Sequence, residues 1–466
     1  MSPSIAAAGC GVLIIVLFWL ETDRDSRVSW ALWIPVTWLS ITASRFVSQW
    51  FEPIYYKASD VQLLEGSSVD VQIFAGLLAA GLWVLAGRRQ RAAAFLGSNI
   101  PLLVFFAYCA ISALWSDYPL VSFKRWVKAV GDLVMVLVVL TDPEPSRAVK
   151  KILTRTGFLL IPISILLIRY YPSYGRSFGV WSGSAYNIGV STGKNGLGIL
   201  CLISGLGSLW YLLKELRDRT RPRSFGPLIA FGSLLALTLW LFKLADSATS
   251  FGCFLIGSLV IAVMSLRAVG RKPVFVHLIV ASMLLFIIYG VIVNSGAGLT
   301  GAVGRDSTLT GRTQLWAQLL DMSVSPWFGE GYESFWLGNR LQVLQETGDE
   351  NVHQAHNGYL QVYLDLGLVG VGVLAFVMAW GYGNIIRAIC ADLEAGRFKL
   401  ALFVVAVVYN LTEHGFRELH PVWLIFLLAI MATPESSWPA SRIGPSPTMA
   451  HSLRKETATT PTLARG

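Results

Sequence analysis

The chain has 466 residues and a net charge of +9, with 54% hydrophobic and only 14% charged residues. Soluble proteins carry about 25% charged residues, and even large soluble domains leave much of their surface in water. With a mean hydropathy of +0.58, a soluble enzyme on one anchor, a disordered chain and a secreted disulfide scaffold are all excluded, which leaves a polytopic membrane protein.

A hydrocarbon core of roughly 30 Å needs roughly 20 helical residues. Taken in chain order, about 13 apolar runs meet or approach that length: near 5–20, 28–43, 69–86, 99–115, 127–141, 152–169, 195–213, 227–242, 251–266, 274–293, 360–386, 400–412 and 422–432. The first two and last two are the least regular, so about 12–13 spans are expected. None alternates with the period of two that a closed barrel requires, so the fold class is all-α. The first run lacks a basic leader and reads as a span, not a cleaved signal.

Arg88, Arg89 and Arg91, then Arg147, Lys150 and Lys151, then 214–223, 267–272 and 387–399 all follow alternate spans. The positive-inside rule assigns these loops to the cytoplasm. The loops 45–68, 116–126, 170–194, 294–359 and 413–421 then face outward. One transmembrane domain is expected over 1–433, with a large helical periplasmic loop at 294–359 and a disordered cytoplasmic tail at 434–466. The five cysteines form no C-x-x-C pair and support neither a disulfide framework nor a zinc site.

Within the long outward loop, Thr310-Gly311-Arg312 precedes Leu315, Trp316, Leu319 and Leu320, an apolar stripe at helical spacing that Pro326 ends. A second short helix is expected around 334–345. Lys124, Arg125, Lys128, Arg169, Arg176, Lys194, Lys243, Arg305, Arg312 and Arg340 all fall near the outer face, against the usual bias. Any one of them alone is equally a headgroup anchor. As a set they suit a multiply charged anion, because Arg binds phosphate through a bidentate fork. Arg312 is expected in the first turn of its helix, where free N–H groups also attract phosphate.

His356-Asn357 is followed after nine residues by Gly367-Leu368-Val369-Gly370. At 100° per residue the glycines return to nearly the face of His356, so the histidine is expected to crown a close helix–helix contact. An imidazole there is able to take a proton from a sugar hydroxyl. Taken alone, it reads more simply as a histidine satisfied by local hydrogen bonds at a helix start.

These residues resemble the H-N-x9-G-x-x-G signature of the O-antigen ligase and O-antigen polymerase (Wzy-type) superfamily. Asp306…Thr310-Gly311-Arg312…Trp316…Pro326…Gly329…Gly331 looks like the same family's upstream block. The stretch Gly331-Tyr332-Glu333-Ser334-Phe335-Trp336 looks most like the exopolysaccharide-production (ExoQ-type) branch. Trp115-Ser116…Pro119…Ser122…Arg125 and Gly193-Lys194-Asn195…Gly198 are also similar to family segments. The resemblance implies a GT-C-like, metal-independent glycosyltransferase with no cofactor, in a bacterial inner membrane with its active site on the periplasmic side. It implies an undecaprenyl-diphosphate-linked glycan donor, a glycan or lipid acceptor, other envelope polysaccharide assembly proteins as partners, and no nucleic acid. His356 matches the catalytic histidine and Arg312 one diphosphate-binding arginine. Arg176, with Lys194 close behind, stands for the second, and Arg305 and Arg125 are further candidates for the diphosphate. Glu413 resembles an acidic family position that orients the acceptor or Arg312, and Asn357 is a second orienting candidate. Polymerisation of repeat units is favoured over ligation.

Other features carry less. Asp23-Arg24-Asp25 has a D-x-D form but sits in an expected cytoplasmic turn, and His353-x-x-His356 lacks a third metal ligand. Glu413, His414, Arg417 and His420 line the last outward loop, whereas Glu330 and Glu333 are expected to be solvated. Two other classes compete. A flippase or transporter for a lipid-linked sugar would show inverted repeats and midplane charges, and a non-catalytic scaffold would need neither the His nor the Arg motif.

Overall fold

A computed structural model describes residues 1–21, 28–51, 66–178, 185–217, 225–266, 274–282, 285, 308–323, 325–347 and 354–433, with the backbone alone at 308–314, 345 and 347. The helices are α1 Pro3–Glu21, α2 Trp33–Thr42, α3 Ser68–Gly87, α4 Arg89–Gly97, α5 Ile100–Ser112, α6 Pro119–Leu140, α7 Pro145–Tyr170 and α8 Lys194–Arg217. They continue as α9 Phe225–Ala245, α10 Ala248–Met264, α11 Thr308–Asp321, α12 Asn339–Thr347, α13 Gly358–Ala391, α14 Leu393–Tyr409 and α15 Pro421–Ile430. Among the described residues, one two-stranded hairpin, β1 Arg176–Phe178 with β2 Ala185–Asn187, interrupts an otherwise helical chain.

Among the described residues, six helices are long and apolar enough to cross a membrane, or seven if α4 and α5, bent by 87°, form one broken span. Shorter apolar helices occupy Trp30–Thr42, Ala248–Met264 and Pro421–Ile430. The protein is an all-α polytopic membrane protein. Of the expected run at 274–293, residues 274–282 and 285 are described, and they are helical.

Packing follows from how apolar each helix is around its circumference. All ten residues of α15 are buried, as befits a helix that is hydrophobic all round. It lies against α6, α13 and α14. By contrast α1 buries only Ala6, Leu17 and Glu21 and leaves Trp19 and Val12 on its outer face. Asp132, buried in α6, accepts from Trp38 Nε1 of α2 at 2.7 Å and from the amide of Leu419 at 2.9 Å. That carboxylate anchors the loop after α14 to two helices.

The loops expected to face outward meet at one end of the bundle. Arg45 donates to the carbonyls of Tyr174, Gly189 and Ser191. Ser122 Oγ donates to the Tyr332 carbonyl at 2.8 Å, and Asn195 reaches Glu413. The loops expected to face inward meet at the other end, where Arg88 pairs with Asp142 at 3.7 Å and Arg397 reaches Ser265.

Candidate active site

His356 precedes α13 and does not lie on it. Its φ of 50° is left-handed, a conformation that costs a non-glycine residue about 1–3 kcal/mol unless its surroundings enforce it. Asn357 is the N-cap, and its side-chain oxygen accepts from the amides of Tyr359 and Leu360 at 3.0 and 3.1 Å. The amide of Gly358 donates to the Asn410 carbonyl at 2.8 Å, and the Asn410 side chain fills the place a Cβ on Gly358 would take. Asn410 Oδ1 also accepts from the amides of Gly415 and Phe416 at 2.8 and 2.9 Å. One fully buried asparagine thus fixes the turn before α13 and the turn after α14 side by side.

That adjacency brings His356 Nδ1 to 3.3 Å from Glu413 Oε2. The other Glu413 oxygen accepts from Asn195 Nδ2 at 2.9 Å, and Asn195 Oδ1 accepts from Ser247 Oγ at 3.2 Å. His356 is half-buried, whereas the Glu413 side chain is only 6% exposed. The carboxylate lines a cavity of about 880 Å³, together with Lys194, Asn195, Gln354 and Arg417. A carboxylate on one ring nitrogen fixes the orientation of the imidazole, and proton transfer by a histidine then falls to the other nitrogen.

The glycines of the signature do something other than admit a neighbouring helix. Gly367 has φ 65° and breaks α13, and the backbone of Trp327 and Phe328 lies where its Cβ would be. Leu368 and Val369 donate to the carbonyls of Pro326 and Trp327 at 2.9 and 3.1 Å. Gly329, with φ 67°, presses equally on Asp365 and Leu366. The expected shared face with His356 is therefore replaced by a helix break that receives a loop. From that break the segment after Pro326 folds inward, and the amides of Glu330 and Gly331 donate to Leu364 and Asp365 carbonyls at 3.0 and 2.8 Å. Gln361 and Asp365, one turn apart in α13, complete the seat. Gln361 accepts from Trp336 Nε1 at 2.7 Å, and Asp365 accepts from Gln361 and from the Phe335 amide.

Glu330 and Glu333 are consequently buried, not solvated as expected. Glu330 pairs with Arg340 Nη2 at 2.5 Å, and Arg340 Nη1 also holds Asp117 at 2.8 Å. Glu333 lies 3.5 Å from His414 Nε2. Burial, with Glu418 and Asp365 nearby, pushes its carboxyl well above the usual range, against Arg417 and Arg125. Burial likewise holds His414 well below the usual imidazole range and His420 down at about 3.

The expected cations separate into several places. Lys194 opens α8 and lines the cavity, joined by Arg417 from the last loop. Arg176 begins β1 opposite Asn187, is exposed, and donates to the Ile168 carbonyl at 3.1 Å. Arg125 donates to the Glu333 carbonyl, and Arg169 stacks over Trp240 at 5.4 Å. Arg305, together with Asp23, Asp25 and His353, lies outside the described residues. Arg312 is described by its backbone alone. Its helix starts at Thr308, so the free N–H groups of the first turn belong to residues before it, and the expected first-turn placement is displaced by one turn. Four residues on, Trp316 Nε1 donates to the Ala355 carbonyl at 2.8 Å, so α11 docks beside the residue that precedes His356. The second short helix is α12, offset from the expected 334–345 because residues 332–338 form the buried loop instead.

Asn195 was legible only as part of a segment resembling the family. Asn410 was not singled out at all, and Arg417 only as one of the residues lining the last outward loop. A pair of polar residues at four-residue spacing within an apolar span, Gln361 and Asp365, was the one local signal that α13 receives something polar.

Residues 233–375, which include the whole of the His356–Gly370 signature, match the family model described as O-antigen ligase. Over 324 residues the chain is 25% identical to the exopolysaccharide production protein ExoQ of Rhizobium meliloti (strain 1021), covering 67% of this chain and 72% of that protein. The chain is thus similar to the O-antigen ligase family across the segment that holds His356, and to an exopolysaccharide production protein across two thirds of its length, which bears out the resemblance carried by its motifs.

Proposed function

We propose that this protein transfers a glycan from an undecaprenyl-diphosphate donor at the periplasmic face of a bacterial inner membrane, as a metal-independent GT-C-type glycosyltransferase of surface polysaccharide synthesis. The observation that carries the reading is the contact of His356 with Glu413, which with Asn195, Lys194 and Arg417 lines the cavity. Glu413 holds Nδ1 and leaves Nε2 to accept the proton of an acceptor hydroxyl. The hydroxyl oxygen forms a bond to the anomeric carbon, the bond from that carbon to the diphosphate oxygen breaks, and its electron pair leaves with the diphosphate. Preorganised cations stabilise that growing charge by about 3–4 kcal/mol per strong donor. Of that set Lys194 lines the cavity, Arg312 joins it by motif, and Arg176, which begins β1, joins it by its place in the loop before Gly193-Lys194-Asn195. Glu413 takes the role of orienting His356.

Joining repeat units to one another is favoured over ligation onto a lipid A core. The support is the likeness of Gly331–Trp336 to the exopolysaccharide branch and the identity to ExoQ. Purified protein in liposomes, given only its lipid-linked repeat unit, is expected to make longer lipid-linked chains. Product that forms only after lipid A core is added, and on that core, would reverse the assignment to ligase.

A further inference from the structure

A second cavity, of about 730 Å³, opens at the end of the bundle opposite His356, between α4, α8, α13, α14 and the chain after α15. Its walls are mainly apolar, with Phe95, Trp210, Phe398, Leu402 and Leu428 among them. Three cations line it from three different helices: Arg91, Arg387 and Lys399. The two acidic residues on its wall are already engaged. Asp142 accepts from the amides of Ser29 and Glu144 beside Arg88, and its side chain is fully covered. Asp392 is the N-cap of α14 and accepts from the amides of Glu394 and Ala395. Lys399 is half-buried and donates to the Met431 carbonyl at 2.9 Å, leaving the rest of its ammonium toward the cavity. Arg91 and Arg387 are exposed; Arg91 donates to the Thr141 carbonyl at the end of α6 at 3.4 Å, and Arg387 to Gly383 and Asn384 of its own helix.

We propose that this cavity binds an anionic phospholipid of the surrounding bilayer, with its headgroup phosphate on Arg91, Arg387 and Lys399 and an acyl chain along the Phe95–Leu428 wall. The inference is independent of the transfer reaction. Charge complementarity selects the occupant, since cations at the rim of an apolar cleft suit a molecule with a phosphate at one end and hydrocarbon at the other. Residues 434–466, which leave from the cavity wall at Thr433, carry Arg442, Arg454, Lys455 and Arg465 against Glu435 and Glu456, so their charge has the wrong sign for this site. The basic loops around the cavity are those that the positive-inside rule assigns to the cytoplasmic leaflet.

The full chain, delipidated in a neutral detergent, is melted with phosphatidylglycerol, cardiolipin, phosphatidylcholine or inorganic phosphate added, and retained lipid is weighed by native mass spectrometry. Phosphatidylglycerol and cardiolipin are expected to raise the melting temperature by several degrees and to stay bound, and phosphatidylcholine and phosphate to do neither. The double variant Arg91→Gln/Arg387→Gln should lose the shift while melting like the wild type without lipid. Ala388→Trp, which fills the apolar wall and spares the cations, should lose it too. An equal shift with phosphatidylcholine, or persistence of the shift in both variants, would overturn the site. A full shift with phosphate alone would overturn the lipid. A shift seen only after residues 434–466 are deleted would make the chain's own tail the occupant.

Discussion

The two ends of the bundle place charge in different ways. At the His356 end, polar side chains join elements far apart in sequence: Arg45 to Ser191, Asn195 to Glu413, and Ser122 to Tyr332. The backbone there is irregular, with left-handed residues at Asp246, Glu333, His356 and Leu419. At the other end, charges close helix termini: Lys399 on the Met431 carbonyl, Asp392 on the first turn of α14, and Arg88 on the Val138 carbonyl. A helix terminus needs only one partner for its orphan backbone groups. A site needs several elements held to fractions of an ångström, so the left-handed residues gather where the chemistry is proposed, whereas polar contacts between distant elements, such as Arg397 to Ser265, are made at both ends.

The comparison breaks most completely if the ends are assigned to the wrong compartments. Alkaline phosphatase fused after Gly348 is expected to be active, and fused within 387–399 inactive. The reverse pattern removes both the periplasmic site and the cytoplasmic leaflet of the lipid cavity.

Next in size is the base itself. His356→Ala is expected to lower transfer at least about 100-fold at unchanged membrane abundance, and Arg312→Ala to match it. Arg312→Lys should recover little, because a point charge does not replace a bidentate fork. Near wild-type transfer by His356→Ala would remove it from the mechanism.

The carboxylate chain should show graded losses. Glu413→Gln leaves an acceptor for one partner but removes the charge, and should cost about tenfold or more. Asn195→Ala removes one hydrogen bond to Glu413 but leaves the charged carboxylate on His356, and should cost less. Because both act through His356, the double variant should fall short of the product of the singles. Simple multiplication of the two effects in a transfer assay would mean that Asn195 and Glu413 work separately.

Hydropathy made the spans readable because a bilayer demands long apolar helices whatever they pack against, and the signature His356-Asn357…Gly367…Gly370 lies within the segment that matches the O-antigen ligase family model. What it meant locally was not readable. The reading of one helical face assumed continuous helix from His356 onward, but Asn357 caps at the second position and Gly367 breaks the third turn. Glu330 and Glu333 were expected in water because nothing in their neighbourhood shows that Ser112, Ser122 and Asp365 will enclose them. Arg45 and Asn410 are the clearest omissions. Each is an isolated polar residue whose importance lies in partners supplied by other loops, and sequence proximity carries no trace of that for Arg45.

Gly367 tests whether the break belongs to the site. Gly367→Ala puts a side chain at φ 65° and onto the Trp327 backbone, so a loss of about 2 kcal/mol or more is expected from the conformation alone. The variant should melt earlier and transfer less, and a neutral melting temperature would show that the loop at 325–338 does not depend on the break.

The smallest effect belongs to Glu333, and its sign follows from its surroundings. Its carboxyl is held above the usual range chiefly by burial, then by Glu418 and Asp365, with Arg417 and Arg125 opposing and His414 alongside. A raised value means that the folded protein keeps the proton more firmly than the unfolded chain. The stability that this proton contributes is complete below the unfolded value, near 4.5, and is lost as pH rises toward the folded one. Glu333→Gln has no proton to lose. Its melting temperature should therefore match the wild type near pH 5 and exceed it increasingly toward pH 8.5, while transfer at any one pH changes little because His356 is held by Glu413 and not by Glu333. A difference that narrows as pH rises would mean that Glu333 is charged in the fold, paired with Arg417 or Arg125, and that the buried loop is an ion-pair seat.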